Sequence, residues 1–96
     1  MAVTTIELYL VRHAIAARRG PDYPDDRKRP LTNEGIARFK QAVDGFKELD
    51  CQIDLVLTSP LVRATETAEL LLSGLNRAPK LERLDALAPQ GRLNAV

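Results

Sequence analysis

The chain has 96 residues, the size of one small domain. Its 14 basic and 13 acidic side chains nearly cancel to a net +1, which excludes any general attraction to nucleic acid or an anionic membrane. A single cysteine, Cys51, excludes an internal disulfide, and one cysteine with one histidine supply no soft-ligand metal set.

Ile6-Glu7-Leu8-Tyr9-Leu10-Val11 is short and aliphatic and ends at charged residues, so it is predicted to be a mostly buried strand. Residues 12 to 30 lack any sustained period and contain Gly20, Pro21, Pro24 and Pro30, with Asp22, Asp25 and Asp26. They read as a loop long enough to be functional or disordered. Thr32 reads as a helix N-cap with Glu34 in the first turn, and Ile36, Phe39, Ala42, Val43 and Phe46 form one apolar stripe. A second strand is expected over Ile53 to Leu57. Ser59-Pro60 then reads as hydroxyl cap and first helical residue, and Ala64, Ala68, Leu71, Leu72 and Leu75 continue that helix toward a stop at Gly74. Lys80 to Leu84 is a third candidate strand, and Ala88-Pro89-Gln90-Gly91 a turn. Strand, helix, strand, helix, strand argues one α/β domain over 1–96, with a parallel sheet and right-handed crossovers. No apolar run approaches the roughly 20 residues of a spanning helix. The amino terminus has no secretory pattern, so a cytoplasmic protein is expected.

Ligands of open parallel sheets bind beyond the carboxyl ends of the strands. Arg12-His13 follow the first expected strand, and Thr58-Ser59 follow the second, with Arg63 one helical turn further on. A neutral imidazole can take a phosphoryl group on one nitrogen while an acceptor, usually a backbone carbonyl, holds the other. Phosphoryl transfer then needs charge neutralisation at the non-bridging oxygens, which the planar forks of Arg12 and Arg63 can give. The helix amino end after Ser59 adds backbone donors. Each residue has a plainer reading. His13 alone would be a hydrogen-bonded structural histidine, Arg12 and Arg63 surface or ion-pair arginines, and Ser59 a cap. Cys51 would be a small buried hydrophobe and Arg27-Lys28-Arg29 a solvated loop. It is their convergence that favours phosphate chemistry. The strand ends carry no phosphoacceptor aspartate with an acidic pair, so a receiver domain is set aside. No glycine-rich loop precedes Lys-Ser or Lys-Thr, so a P-loop is excluded.

Leu10-Val11-Arg12-His13-Ala14 resembles the Arg-His motif of the histidine phosphatase superfamily, which includes phosphoglycerate mutases. Thr58 to Ala68, with Ser59-Pro60 and Arg63, resembles its second motif. Arg29-Pro30-Leu31-Thr32-Asn33-Glu34-Gly35 and Leu87-Ala88-Pro89-Gln90-Gly91 are similar to segments of its SixA-type phosphohistidine phosphatases. The resemblance implies a three-layer α/β/α fold with a mostly parallel sheet, present here as a partial domain. It implies His13 as the phosphorylated nucleophile, Arg12 and Arg63 as ligands of the phosphoryl oxygens and Arg29 as a contact at the pocket rim. No cofactor or metal is implied. The substrate would be a phosphorylated protein in signal transduction, such as a histidine-containing phosphotransfer domain, or a small phosphate ester. The family's second histidine has no counterpart, because His13 is the chain's one histidine. At the family's acid position the nearest match is Ala86, with Asp85 beside it. The alternative reading is therefore a catalytically incomplete fragment, or a structural or phosphate-binding module.

Overall fold

A computed structural model describes residues 8–49, 52–75 and 79–88. Cys51, Pro89, Gln90 and Gly91 lie outside the described residues, as do Ile6 and Glu7 of the first expected strand. Helix α1 spans Asn33–Glu48, strand β1 Leu55–Thr58, helix α2 Val62–Gly74 and strand β2 Lys80–Arg83. Short 3₁₀ turns occupy Asp26–Lys28 and Asp85–Leu87. The strands β1 and β2 pair in parallel with Leu55 opposite Lys80 and Thr58 opposite Arg83, so α2 is the crossover that the alternating pattern requires. The ladder is extended at its end, where the Leu84 amide donates to the Thr58 carbonyl at 2.8 Å.

Helix α1 starts as its sequence dictates. The Thr32 hydroxyl accepts from the Gly35 amide at 2.9 Å, which satisfies one of the orphan donors of the first turn. Of its apolar stripe, Val43 is buried, Ile36, Phe39 and Phe46 are half-buried and Ala42 is exposed. Helices α1 and α2 pack together closely at Gly74, where a Cβ would run into the Val43 side chain. Gly74 therefore serves as a contact point as well as ending α2. Gly35 has a similar task at the other end of α1, because a Cβ there would strike the Ile15 backbone.

Two expectations need correction. Leu8 to Val11 form no strand, and Leu8 and Leu10 are 79% and 89% exposed. A strand gains burial and backbone bonds from a neighbour, and among the described residues no strand runs beside this segment; Tyr9 reaches α1, edge-on to Phe46 at 5.8 Å between ring centroids. The second correction concerns Ser59, which does not cap α2. Its hydroxyl accepts from the Leu61 amide two residues on, at 3.2 Å, closing a local turn; the helix begins at Val62 with Leu61 as an N-cap that makes no side-chain bond. No helix among the described residues is long and apolar enough to cross a membrane.

Candidate active site

The best-buried part of the described chain is the connection from β1 into α2. Thr58, Ser59, Leu61, Arg63, Thr65, Thr67 and Ala68 are all buried there. Buried hydroxyls need partners, and these have them. Thr58 and Thr65 both donate to the Ser59 carbonyl, at 3.1 and 3.3 Å, which pins the turn that launches the helix. The rigid turn sets the direction of Arg63, whose side chain is 7% exposed.

Arg63 meets the long loop. Its Nη1 donates to the Asp26 backbone carbonyl at 2.8 Å and its Nη2 to Asp26 Oδ2 at 3.2 Å. Arg29 reaches the same carboxylate from the other side, with Nε 2.8 Å from Asp26 Oδ1, while its Nη1 donates to the Ala17 carbonyl at 2.6 Å. Arg19 adds a solvent-exposed ion pair to Asp26 Oδ1 at 3.2 Å. The basic stretch is therefore divided. Arg29 is tucked in at 12% exposure, contrary to a solvated reading, whereas Arg27 is 76% exposed and pairs with Asp25. Burial pushes the Asp26 carboxyl up, but the Arg29 and Arg63 hydrogen bonds and charges outweigh it, so its pKa lies below the ordinary 3.8. The Asp25 carboxyl is also lowered, chiefly by the Arg27 amide and then by the Arg27 side chain.

The loop is ordered by backbone and side-chain bonds. Ala17 donates to the Pro30 carbonyl at 2.8 Å, Thr32 donates to the Ile15 carbonyl at 2.9 Å, and Ala16 bridges Leu31 antiparallel. The Leu31 amide donates to Glu66 Oε1 at 3.1 Å, strapping this hairpin-like loop onto α2.

His13 is exposed, and its Nδ1 lies 2.7 Å from the Ala14 carbonyl. A carbonyl can only accept, so Nδ1 carries a proton, and Nε2 is the nitrogen whose lone pair the ring presents in its uncharged form. The following residue is fixed to α2: the Ala14 amide donates to the Thr67 hydroxyl at 3.0 Å, and that hydroxyl donates to the Arg63 carbonyl at 2.7 Å. One threonine thus ties the His13 segment to the helix turn that carries Arg63, a link expected from adjacent strand ends but made by a side chain. Arg12 is exposed and makes no hydrogen bond or ion pair among the described residues. Asp85 is exposed in its 3₁₀ turn, and Ala86 is half-buried.

Three positions that matter here, Asp26, Glu66 and Thr67, were not singled out by the motifs. Thr67 stands four residues after Arg63, on the same helix face, and Asp26 stands three before Arg29; both spacings were available as signals.

The sequence profile of the histidine phosphatase superfamily (branch 1) matches residues 8–88. The chain belongs to that superfamily. It is 42% identical over 90 residues to an uncharacterised protein of Picosynechococcus, covering 94% of this chain and 53% of that protein. It is 32% identical over 91 residues to the phosphohistidine phosphatase SixA of Escherichia coli K12, covering 95% of this chain and 55% of that one. The solved structure of the protein histidine phosphatase SixA complexed with tungstate superimposes with a TM-score of 0.73 at 32% identity, over 85% of this chain and 51% of that one. The resemblance is thus to SixA-type proteins and the fold is their α/β fold. The chain spans about half the length of these relatives.

Proposed function

We propose that this chain carries the nucleophile and arginine ligands of a phosphohistidine phosphatase. The observation that supports this most is the His13 ring, whose Nδ1–H is held by the Ala14 carbonyl and whose Nε2 has no partner among the described residues, on an exposed residue. In the proposed reaction the Nε2 lone pair attacks phosphorus. The bond from phosphorus to the substrate imidazole breaks, and that imidazole leaves with its electron pair and takes a proton from solvent. Water then attacks phosphorylated His13, the phosphorus–Nε2 bond breaks, and inorganic phosphate departs as the water's proton is lost to solvent. Arg12 and Arg63 would neutralise the non-bridging oxygens through both steps. An imidazole is a better leaving group than an alkoxide, so this substrate asks little of a general acid, in keeping with exposed Asp85 and uncharged Ala86 at the acid position.

The likeness to SixA supports a phosphoprotein as substrate, and the exposure of Arg12 and His13 suits a phosphorylated side chain on a protein surface, such as that of a histidine-containing phosphotransfer domain. A signalling role in the cytoplasm would follow. The binding of tungstate, an oxyanion, by the solved SixA supports phosphate as the recognised group. A second reading concerns these 96 residues taken by themselves, with His13 as their one histidine: a module that binds phosphate without turning it over. Phosphate release from a phosphohistidine protein separates the two. Release that disappears in His13→Ala is the expected result; release that survives the substitution contradicts His13 as nucleophile, and binding without release favours the module.

A further inference from the structure

We infer that Asp26 is a positioning residue for the oxyanion-binding face of Arg63. The inference rests on the reading of Arg63 as a phosphoryl ligand. A guanidinium has five N–H donors. Both Nη atoms of Arg63 give one to Asp26, one to its carbonyl and one to its carboxylate, so a single residue grips the group through two different oxygens. The Nε–H is buried and has no partner among the described residues, although the side chain is only 7% exposed. A buried donor without an acceptor is costly and calls for an explanation, and an arriving oxyanion supplies one. Asp26 fixes the plane of the guanidinium, and the Nε–H with a second Nη–H remains for two phosphoryl oxygens. The other Asp26 oxygen holds Arg29 Nε, so the carboxylate also sets the spacing between the two arginines.

This role has a distinctive sign. Asp26 brings a negative charge next to an anion site, so on charge alone Asp26→Asn should tighten phosphate binding. Loss of positioning should loosen it. The test is titration of the chain with inorganic phosphate, following the Arg63 Nε–H resonance by NMR and the affinity by calorimetry. Unsubstituted protein should show an Nε–H signal protected from exchange that shifts on saturation. In Asp26→Asn the signal should lose protection and the affinity should fall about tenfold, as for removal of other groups that orient a ligand. Asp26→Glu should recover part of both, and Asp25→Asn, which removes only the exposed Arg27 pair, should change neither. Circular dichroism identifies any variant that does not fold; if Asp26→Asn does not, Asp26→Glu carries the test, and wild-type affinity with an unprotected Nε–H there overturns the inference. Equal or tighter phosphate binding by folded Asp26→Asn also overturns it, while leaving Arg63 as a ligand. If Arg63→Ala binds phosphate as well as the unsubstituted chain, or if that chain takes up no phosphate, the underlying reading itself falls.

Discussion

Arg12 and Arg63 are assigned the same chemistry, yet they stand in opposite surroundings. Arg63 emerges from a turn pinned by three hydroxyl-bearing residues, lies buried and is gripped by Asp26. Arg12 follows an exposed segment and makes no ion pair among the described residues. The two parts of the proposed site are therefore organised unequally. The β1–α2 connection carries its arginine as a rigid part of the fold, whereas the exposed Arg12-His13 pair is tied to α2 through the next residue, by the bridge from Ala14 to Thr67. Preorganised donors need no rearrangement as charge develops, so the buried side should provide orientation and the exposed side access.

The largest effect should come from Arg63→Met. It is expected to lower phosphate release by about 10²- to 10³-fold, the usual range for one oxyanion donor, and also to lower the urea midpoint, because Asp26 loses the most buried of its arginine partners. Arg12→Ala should match the kinetic loss while shifting stability by less than about 0.5 kcal/mol, as for most surface changes. Equal stability losses in the two variants would break the contrast.

Next comes Thr67→Val, which leaves the Ala14 amide without its acceptor and should cost about 1–3 kcal/mol in urea unfolding, with Thr67→Ser restoring most of it. A bridge that matters to His13 should also lower turnover in the valine variant. Gly74→Val provides a comparison away from the site: overpacking against Val43 should cost about 1–3 kcal/mol without altering phosphate affinity.

A smaller effect concerns pH. The Asp26 carboxyl is lowered in the folded state, so its contribution to stability is complete above the unfolded value near 3.8 and is lost as pH falls through the lower folded value. Acid titration should show the unsubstituted chain losing stability below about pH 4 more steeply than Asp26→Asn. The smallest effect is expected at the exposed Arg38–Glu34 pair on α1, where Arg38→Ala should change stability by less than about 0.5 kcal/mol.

How far the sequence could be read depended on whether a feature was local. The α1 cap at Thr32 and the alternation that makes β1, α2 and β2 a parallel crossover unit are written in neighbouring residues, and they were legible. Ser59 was misread because a hydroxyl before a helix can close its own turn as readily as cap the helix, and Pro60 does not distinguish the two. The segment Leu8 to Val11 has the composition of a strand, but a strand is completed by a neighbour that its own residues cannot specify. Site residues with distinctive chemistry, Arg12, His13 and Arg63, stood out as candidates. Asp26 and Thr67 did not, since their importance comes from what they touch across 37 and 53 positions of chain.

The central claim is that His13 accepts the phosphoryl group. The most direct measurement is incubation of the protein with a phosphohistidine donor, followed by acid-free mass spectrometry of its peptides. Phosphate is expected on the peptide containing His13, on Nε2, and none in His13→Ala. Phosphate transferred to another residue, or equal labelling of His13→Ala, would contradict it.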